Sequence, residues 1–290
     1  MAATTTVPRK VDRVRTKAMG GPTDQVDNNA LVIAPDDITR TDPFLLMAED
    51  WFSTPGFEWH PHRGLETVTV VLDGVLEHGD SLGHAGALEP GDVQWMTAGR
   101  GIIHRELAFR NEHAHTLQLW LNLPADKRMV DTRYQDVRQA DQARVEAPGV
   151  LVRVVSGKAG TVTGPAENHW PITGLIVTLE PGSGYTPILP AADRAFAYVI
   201  EGEASIGGTT VSEGRIAWSD PTSGSDASSL ELRGTDPERP TTVMLFSGKP
   251  IREPVVFGGP FVMGSRDEIE QAFLDLRRGK FGQIPRLARL

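Results

Sequence analysis

Cysteine is absent from this chain of 290 residues. Its absence excludes disulfide bonds, thiolate metal ligands and a cysteine nucleophile. Long hydrophobic runs are also missing: no stretch reaches the roughly 18 apolar residues of a transmembrane helix, and residues 1–30 lack the apolar core of about 7 to 15 residues that a secretory signal needs. Any bound metal must therefore be held by nitrogen and oxygen atoms, and we expect a cytoplasmic protein without membrane association.

Basic residues are in the minority. Lys and Arg together number 29, against 38 Asp and Glu, which gives a formal net charge of −9. This balance argues against direct binding to nucleic acid, because neutralising a phosphate backbone requires a basic face. The N-terminus is locally basic but has no aromatic residues, and we interpret it as a solvated arm. Its basic residues are Arg9, Lys10, Arg13, Arg15 and Lys17.

Short β-branched runs dominate what the sequence does contain. Residues 67–72, 116–121 and 174–179 are examples, and 30 Gly and 21 Pro are scattered between such runs. Short strands separated by turn residues are typical of β-sandwiches and β-barrels. The sequence therefore predicts a mainly β fold.

An internal repeat predicts two barrels. Residues 70–76 resemble residues 198–204, and residues 90–95 resemble residues 213–218. Each copy has a strand, a turn glycine, a second strand and a glycine-containing turn that leads to a Trp. The second copy is 5 residues shorter between its glycines, which a shortened hairpin would explain.

The predicted domains follow from this repeat. Residues 125–148, between the copies, are interpreted as a linker with one short helix. After the second copy, Ser265 and Glu268 have the spacing of a capping box, and apolar residues recur at helical intervals up to Gly279, so we expect a helix that packs on a barrel. The domains are an N-terminal metal-binding barrel over residues 1–137, a C-terminal metal-free barrel over residues 138–264, and a helix with a tail over residues 265–290.

Histidine is concentrated in the first half of the chain, where seven of the eight lie between His60 and His115. His60 and His62 form one pair with spacing i, i+2, and His104 and Glu106 form another. On a β-strand this spacing places both side chains of a pair on one face. Two such strands facing each other would bring three imidazoles and a carboxylate to a single metal ion.

Five groups compete for about four ligand positions on such an ion. Three neutral imidazoles and one carboxylate would leave an octahedral divalent cation with two open positions, which suits Fe(II), Mn, Ni or Cu better than a closed structural zinc site. In the alternative interpretation, the histidines are solvated in a loop and Glu106 pairs with Arg100 or Arg105. The five groups are His60, His62, Glu66, His104 and Glu106, and Glu66 shares a face with the first two histidines if the strand is regular.

The remaining candidates receive structural interpretations. The repeat aligns the metal-site positions with Ile188, Pro190, Arg194 and Ala227, so no metal is expected in the second barrel. Aromatic and apolar side chains near the motifs are assigned to the barrel core, and the other histidines of the first half are assigned to solvent. The core residues are Trp95, Met96 and Trp120, and the solvated histidines are His78, His84, His113 and His115.

Five segments carry a resemblance to a known family. They are residues 60–69 (HPHRGLETVT), 90–104 (PGDVQWMTAGRGIIH), 117–123 (LQLWLNL), 252–256 (REPVV) and 259–263 (GPFVM). These strings resemble the pirin family of the cupin superfamily, and the likeness extends over nearly the whole chain. Gly99-Arg100-Gly101, where most cupins have Pro-x-Gly, narrows it to pirins.

This resemblance implies two cupin β-barrels of the jelly-roll type and a monomeric protein. It implies one mononuclear Fe(II), held only in the N-terminal barrel. In many other cupins the carboxylate that corresponds to Glu66 binds the metal, so Glu66 here lies beside the ligands or faces the substrate. The ligands implied by the resemblance are His60, His62, His104 and Glu106.

Two functions from different classes follow from the resemblance. Some pirins are similar in activity to quercetin 2,3-dioxygenases, which open a flavonol ring with O2; in that case Glu106 would also take the hydroxyl proton, with Glu66 as the other candidate base. Pirins are also described as iron-dependent redox sensors that bind a transcription factor or a metabolic enzyme. In that case the surface around Arg100 and Arg105 would contact the protein partner.

Overall fold

The computed structural model of the chain describes residues 6–53 and 56–285. Strands dominate it, with one α-helix and three short 3-10 helices at Ile38–Arg40, Phe109–Asn111 and Gln139–Asp141. The predicted mainly β fold is confirmed. Within the described ranges, the one α-helix is too short and too polar to cross a bilayer.

Short strands run through both halves of the chain. The first fourteen are β1 (Thr6–Pro8), β2 (Arg13–Thr16), β3 (Ala18–Met19), β4 (Asn28–Ile33), β5 (Phe44–Phe52), β6 (Phe57–His62), β7 (Leu65–Gly74), β8 (Leu76–Asp80), β9 (Ala85–Leu88), β10 (Val93–Thr97), β11 (Ile102–Ala108), β12 (Ala114–Asn122), β13 (Arg133–Val137) and β14 (Ala143–Ala147). They are followed by β15 (Val150–Ser156), β16 (Lys158–Ala159), β17 (Val162–Thr163), β18 (Ile172–Leu179), β19 (Gly184–Tyr185), β20 (Ile188–Pro190), β21 (Arg194–Glu201), β22 (Glu203–Ile206), β23 (Thr209–Ser212), β24 (Arg215–Ser219), β25 (Ala227–Ser229), β26 (Leu232–Gly234), β27 (Thr241–Gly248), β28 (Val256–Gly258) and β29 (Phe261–Met263). Helix α1 spans Arg266–Arg277.

The chain divides into two compact units. The unit with the histidine pairs, here called the N-terminal barrel, comprises residues 18–140 and 251–290, and the other unit, the C-terminal barrel, comprises residues 1–17 and 141–250. This division differs from the contiguous one expected above, because the last forty residues join the N-terminal barrel and the first seventeen join the C-terminal one. The physical reason is strand pairing, since β2 pairs with β24 of the C-terminal barrel and Phe261 forms a parallel bridge with Arg63 of the N-terminal barrel.

The N-terminal barrel consists of a seven-stranded and a four-stranded sheet. Their strand orders are β13-β10-β7-β12-β5-β4-β3 and β6-β11-β8-β9. Side chains from both sheets meet in the interior: Thr69 of β7 and Gln118 of β12 hydrogen-bond to Glu106 of β11. The segment expected to be a helical linker instead supplies β13 to this barrel and β14 to the other.

The C-terminal barrel repeats this arrangement. Its seven-stranded sheet has the order β14-β15-β18-β27-β21-β24-β2, and its four-stranded sheet has the order β19-β26-β22-β23. The predicted repeat is visible in the register, because Trp95 lies opposite Val68 and Trp218 lies opposite Phe196. Strands β20 and β25 pair Pro190 with Ala227, two of the positions that the repeat aligns with metal ligands.

The interior of the C-terminal barrel is aliphatic. Small and β-branched side chains from both of its sheets form one continuous buried cluster, which includes Val177, Ala197, Ala204 and Leu232. Such side chains pack densely and offer no donor atoms to a ligand. The two barrels therefore share strand order and differ in the chemistry of their interiors.

The basic N-terminal segment is not a solvated arm. Its Arg9 is only 2% exposed. The guanidinium donates to the Ser228 hydroxyl at 2.7 Å and to the carbonyls of Pro190 and Asp193, each at 2.8 Å. Burial lowers the pKa of Arg9, and the hydrogen bonds satisfy its donors. The prediction was wrong because one buried arginine cannot be told from exposed neighbours by composition.

Helix α1 begins at the predicted capping box. The Ser265 side chain accepts from the Glu268 amide, and the Glu268 carboxylate accepts from the Ser265 amide, so two free amides are satisfied reciprocally. Ile269 and Ala272 are buried against Phe261, Met263 and other residues of the N-terminal barrel. The expectation that this helix packs on a barrel is confirmed.

Candidate metal centre

Two neighbouring antiparallel strands carry the three histidines. In the register of β6 and β11, His60 lies directly opposite His104, and His62 lies two residues farther along β6. Both histidines of β6 share one face because of the i, i+2 spacing. The side chains of all three converge as the spacing predicts.

The strand bearing the first two histidines ends immediately after them. Strand β6 stops at His62, and β7 begins at Leu65 in the other sheet, separated by Gly64 with φ of +80°. The condition under which Glu66 would share a face with His60 and His62, one regular strand, is therefore not met. Residue parity does not continue across this break, which changes the position of Glu66.

The three imidazoles form a compact cluster. One ring nitrogen from each of His60, His62 and His104 lies within 4.8 Å of the others. The ring centroids are 4.3 Å apart for His60 and His104, and 5.0 Å apart for each of the other two pairs. His62 and His104 are only 2% and 1% exposed, whereas His60 is half-buried. The His60 side is therefore the more open side of the cluster.

Backbone carbonyls orient two of the rings. The Nδ1 atom of His60 lies 2.7 Å from the carbonyl oxygen of Glu58, and the Nδ1 atom of His62 lies 3.2 Å from that of Pro260. A carbonyl accepts only from a protonated nitrogen, so these contacts place the proton on Nδ1 and the lone pair on Nε2. This is the tautomer of a histidine that ligates metal through Nε2.

Buried ring nitrogens in the cluster lack partners within the described ranges. They are Nε2 of His62 and both nitrogens of His104. Polar atoms left unpaired in a protein interior are costly and uncommon, so such a group indicates a ligand. The donor set fits a divalent transition metal, for which imidazole is a common ligand.

Electrostatics keep these rings neutral. Burial, with a smaller contribution from the neighbouring His60, lowers the pKa of His62 to about 3. Burial likewise holds the pKa of His104 well below its ordinary value, with added contributions from His60 and His62. Only a neutral imidazole has a free lone pair, so both buried rings are ready to bind metal at neutral pH.

Glu106 lies inside the same barrel, and each of its carboxylate oxygens accepts a hydrogen bond. Thr69 donates to its Oε1 at 3.1 Å, and Gln118 donates to its Oε2 at 2.6 Å. Trp120 donates to the Gln118 side-chain oxygen at 3.1 Å, which directs the amide group of Gln118 toward the carboxylate. In the described ranges, the cluster with nitrogens within 4.8 Å comprises the three histidines without Glu106. Its role as the fourth ligand stays a prediction.

Glu66 lies on the opposite face of its strand from the barrel interior. Thr67 and Thr69 of β7 lie opposite Trp120 and Gln118 of β12, which line the interior, and alternation points Glu66 the other way. The Glu66 carboxylate accepts from the Thr97 hydroxyl at 2.7 Å. The structure thus does not bring Glu66 to the histidine cluster.

His78 was not expected in this interior. Strand β8 pairs with β11 so that His78 lies opposite Glu106, and its ring is 2% exposed with its centroid 4.6 Å from that of Tyr134. The prediction that solvent surrounds His78 is therefore wrong. The same prediction fits His113, whose side chain is 61% exposed. The i, i+2 spacing of His78 and Asp80 could have indicated that both side chains lie on one buried face of a strand, but the turn glycines around them favoured an exposed hairpin.

A second acidic residue in the interior was also missed. Asp50 of β5 lies opposite Thr116 of β12, on the face of the sheet that carries Gln118. Burial, with smaller contributions from the charges of Glu106 and Glu49, raises the pKa of Asp50 to about 7. A single acidic residue within a strand gives no sequence signal of this kind.

Comparison with known proteins identifies the family. The pirin family model matches residues 25–121, and the model of the pirin C-terminal cupin domain matches residues 175–282. Pirin of Homo sapiens is 39% identical over 248 residues, which are 85% of each chain, and Pirin-1 of Arabidopsis thaliana is 42% identical over 246 residues, 83% of this chain and 84% of its own. The crystal structure of a quercetin 2,3-dioxygenase from Acinetobacter baumannii is 29% identical, with a TM-score of 0.84 over 96% of this chain and all of the other. The resemblance read from the sequence is confirmed, and the chain belongs to the pirin family.

Proposed function

We propose that the N-terminal barrel binds one Fe(II) ion and opens the ring of a flavonol with O2, as a quercetin 2,3-dioxygenase does. The observation that carries the proposal is the cluster of three imidazoles in the barrel whose interior also holds the carboxylate of Glu106. The likeness to the Acinetobacter baumannii dioxygenase supports the reaction class. A flavonol and O2 would be converted to a ring-opened ester and carbon monoxide.

The three histidines would hold the ion, with Glu106 as the proposed fourth ligand. Nitrogen and oxygen donors without thiolate suit Fe(II), and the same set accepts Mn, Ni or Cu. When bound, the ion would lower the pKa of the flavonol 3-hydroxyl and supply the redox chemistry that O2 requires. Elemental analysis of protein purified without added metal tests its identity.

Glu106 is the proposed proton acceptor for the flavonol hydroxyl. Its carboxylate has two hydrogen-bond donors, Thr69 and Gln118, that fix its orientation inside the barrel. A base held in one position contributes about 10²- to 10⁴-fold to a proton transfer. We assign no catalytic role to Glu66, because it lies on the other face of β7 and hydrogen-bonds to Thr97.

Trp120 gives the interior an aromatic wall next to the metal ligands. Its ring meets the His62 ring edge-on, with centroids 5.1 Å apart and planes at 86°. A flat polyphenol can pack on such a ring and still reach the ligands with its hydroxyl and carbonyl oxygens. Trp120 donates to Gln118, and Gln118 donates to Glu106, so the position of the Trp120 ring would affect that of the Glu106 carboxylate.

The direct test uses anaerobically iron-loaded protein mixed with quercetin and then exposed to air. We expect loss of the flavonol absorbance, release of carbon monoxide and consumption of one O2 per flavonol. His62→Ala should abolish turnover and metal uptake because a buried ligand is lost. His113→Ala is the matched control, since this exposed histidine of the same barrel pairs only with the exposed Asp73 among the contacts described.

Two results would contradict the proposal in different ways. Stoichiometric iron binding without flavonol loss would favour the non-catalytic, iron-dependent regulator. Equal turnover by His62→Ala and the unaltered protein would show that the reaction takes place elsewhere.

A further inference from the structure

The histidine strand β6 is followed directly by a buried arginine that reaches the C-terminal helix. Arg63 is 3% exposed, and its Nη1 atom lies 3.0 Å from the Asp275 carboxylate of α1. Its Nε atom donates to the Arg100 carbonyl at 2.7 Å, and its guanidinium lies 4.5 Å above the ring of Phe281. A cation this deeply buried is expensive unless every donor is used. Its position next to His62 therefore needs an explanation.

The other side of His62 is held by the same C-terminal segment. The Pro260 carbonyl meets Nδ1 of His62 at 3.2 Å. The backbone beside Pro260 is fixed in turn, because the Val262 amide donates to the Arg63 carbonyl at 3.0 Å. The ring of Phe261 packs edge-on against Phe273 of α1 and against Phe281.

The end of the described chain is anchored near the second histidine strand. The Ser81 hydroxyl donates to the Phe281 carbonyl at 2.6 Å and accepts from the Ile103 amide at 3.1 Å. Gly101 has φ of +132°, and a Cβ added there would lie 2.8 Å from the Phe281 ring. The Phe281 side chain thus packs where only glycine leaves room, at the residue immediately before β11, the strand that carries His104.

These contacts converge on one aspartate. Besides Arg63, Asp275 contacts Lys280 at 2.8 Å and Gln271 at 2.9 Å. The hydrogen bond from Lys280, and then that from Arg63, lower the pKa of Asp275 to about 2, so it is ionised at neutral pH. The helix is joined to the His62 strand by a charge pair as well as by apolar packing.

We infer that Asp275 and Arg63 are positioning residues for the metal ligand His62, and that their ion pair and the packing of Phe261 against Phe273 and Phe281 set its ring orientation and tautomer through the Pro260 carbonyl. The Arg63–Asp275 ion pair fixes the backbone just after His62. Packing of α1 against Phe261 fixes the neighbouring Pro260, so that its carbonyl lies next to Nδ1 of His62. This inference rests on the metal site of the proposed function and is independent of its flavonol chemistry. It predicts that the helix controls metal affinity without contributing a ligand.

Zinc provides the test, because it is diamagnetic and has no redox chemistry. Zn(II) affinity is measured by competition with a chromophoric chelator for the unaltered protein, Asp275→Ala and Asp275→Asn. Loss of a group that hydrogen-bonds a metal-bound histidine directly typically costs about 10- to 100-fold in affinity. Asp275 acts on His62 through Arg63, so we expect a loss at the lower end of that range, about tenfold, for Asp275→Ala. Asp275→Asn still accepts a hydrogen bond from Arg63 and should lose less.

Ser265→Ala separates positioning from stability. This change removes the N-cap of α1 and leaves Arg63 and Asp275 untouched, so it should lower the melting temperature without lowering zinc affinity below that temperature. Ring ¹⁵N NMR adds a second measurement: we expect Nδ1-protonated His62 in the unaltered protein and a mixture of tautomers in Asp275→Ala.

The outcomes distinguish this inference from the proposed function. Unchanged zinc affinity and an unchanged His62 tautomer in Asp275→Ala would overturn it, even if that variant melts earlier. Zinc uptake by the unaltered protein, together with no flavonol turnover by the iron-loaded protein, would leave the inference standing while the dioxygenase proposal falls. Failure of the unaltered protein to bind Zn(II) would refute the inference together with the metal site.

Discussion

At the scale of single residues, the three histidines are held in different ways. His60 and His62 each meet a backbone carbonyl through Nδ1, whereas neither ring nitrogen of His104 has a hydrogen-bond partner among the described residues. Carbonyl contacts fix a tautomer before any ligand arrives. Two rings are therefore oriented in advance, and the orientation of the third depends on packing.

The two carboxylates predicted from the sequence should behave differently when each is neutralised. We expect Glu106→Gln to lower the rate of flavonol loss by about 10²-fold or more, because it removes the proposed proton acceptor. Glu66→Gln should keep the rate within about tenfold, since its amide can still accept from Thr97. Initial rates at equal metal content measure this, and equal losses in both variants would contradict the assignment.

Asp50 should make stability depend on pH. Its folded-state pKa of about 7 exceeds the ordinary 3.8, so its contribution is favourable at low pH and is lost as the pH rises toward 7. At pH 8, metal-free Asp50→Asn should therefore have a higher melting temperature than the unaltered metal-free protein. Its free energy of unfolding should be higher by a few kcal/mol at most, because one pKa unit corresponds to about 1.4 kcal/mol. Thermal unfolding across pH 4 to 8 checks this, and a gap that does not shrink toward about pH 4 would refute the cause.

At the scale of elements, the break between β6 and β7 determines which side chains reach the metal centre. Gly64 adopts φ of +80° there, and an added Cβ would meet the Val262 carbonyl oxygen. This turn moves the chain from the four-stranded sheet to the seven-stranded one. The two histidines before it and the carboxylate after it consequently point to different environments.

Replacing this glycine should affect both stability and metal binding. Gly64→Ala places a residue with a Cβ in the left-handed backbone region, which costs about 1 kcal/mol or more. The added Cβ would also clash with the backbone of Val262. Gly83→Ala is the matched control, because Gly83 has φ of +94° with no atom within 4 Å of an added Cβ. Chemical denaturation and zinc titration should show a larger loss for Gly64→Ala in both measurements. Equal losses in the two variants would mean that the dihedral angle alone matters.

The sequence predicted the parts of the site that depend on local spacing. The i, i+2 pairs on β6 and β11 required only strand geometry, and the capping box of α1 required only four consecutive residues. Glu66 was misplaced because Gly64 interrupts the alternation, and a single glycine can equally continue a strand as a bulge. His78 was missed because its burial depends on the pairing of β8 with β11, a register that neither strand reveals by itself.

At the scale of the whole molecule, the two barrels have similar strand orders and different interiors. Residues 18–140 and 251–290 enclose the histidines, while the barrel of residues 1–17 and 141–250 is filled with aliphatic side chains. The repeat was readable from sequence, but the exchange of terminal segments was not. The terminal strands carry no copy of the repeated motif, so only three-dimensional pairing assigns them.

Metal binding should therefore stabilise one barrel selectively. A ligand that binds only the folded state adds about 2.7 kcal/mol at a concentration 100 times its dissociation constant. We expect chelation to lower the melting temperature and to increase hydrogen exchange in residues 18–140 and 251–285, with residues 141–250 little changed. Hydrogen exchange with mass spectrometry measures both regions, and His62→Ala should show no response to metal. A response centred on residues 141–250 would contradict the assignment of the site.

The late position of α1 in the chain has a consequence for biosynthesis. A ribosome releases the histidine strands roughly two hundred residues before the arginine's acidic partner at position 275 leaves the exit tunnel. Nascent chains arrested before that point would contain β6 and β11 without the contacts of α1 that hold them in place. Iron delivered to such chains should be held weakly, so we expect the centre to mature only after α1 has left the exit tunnel.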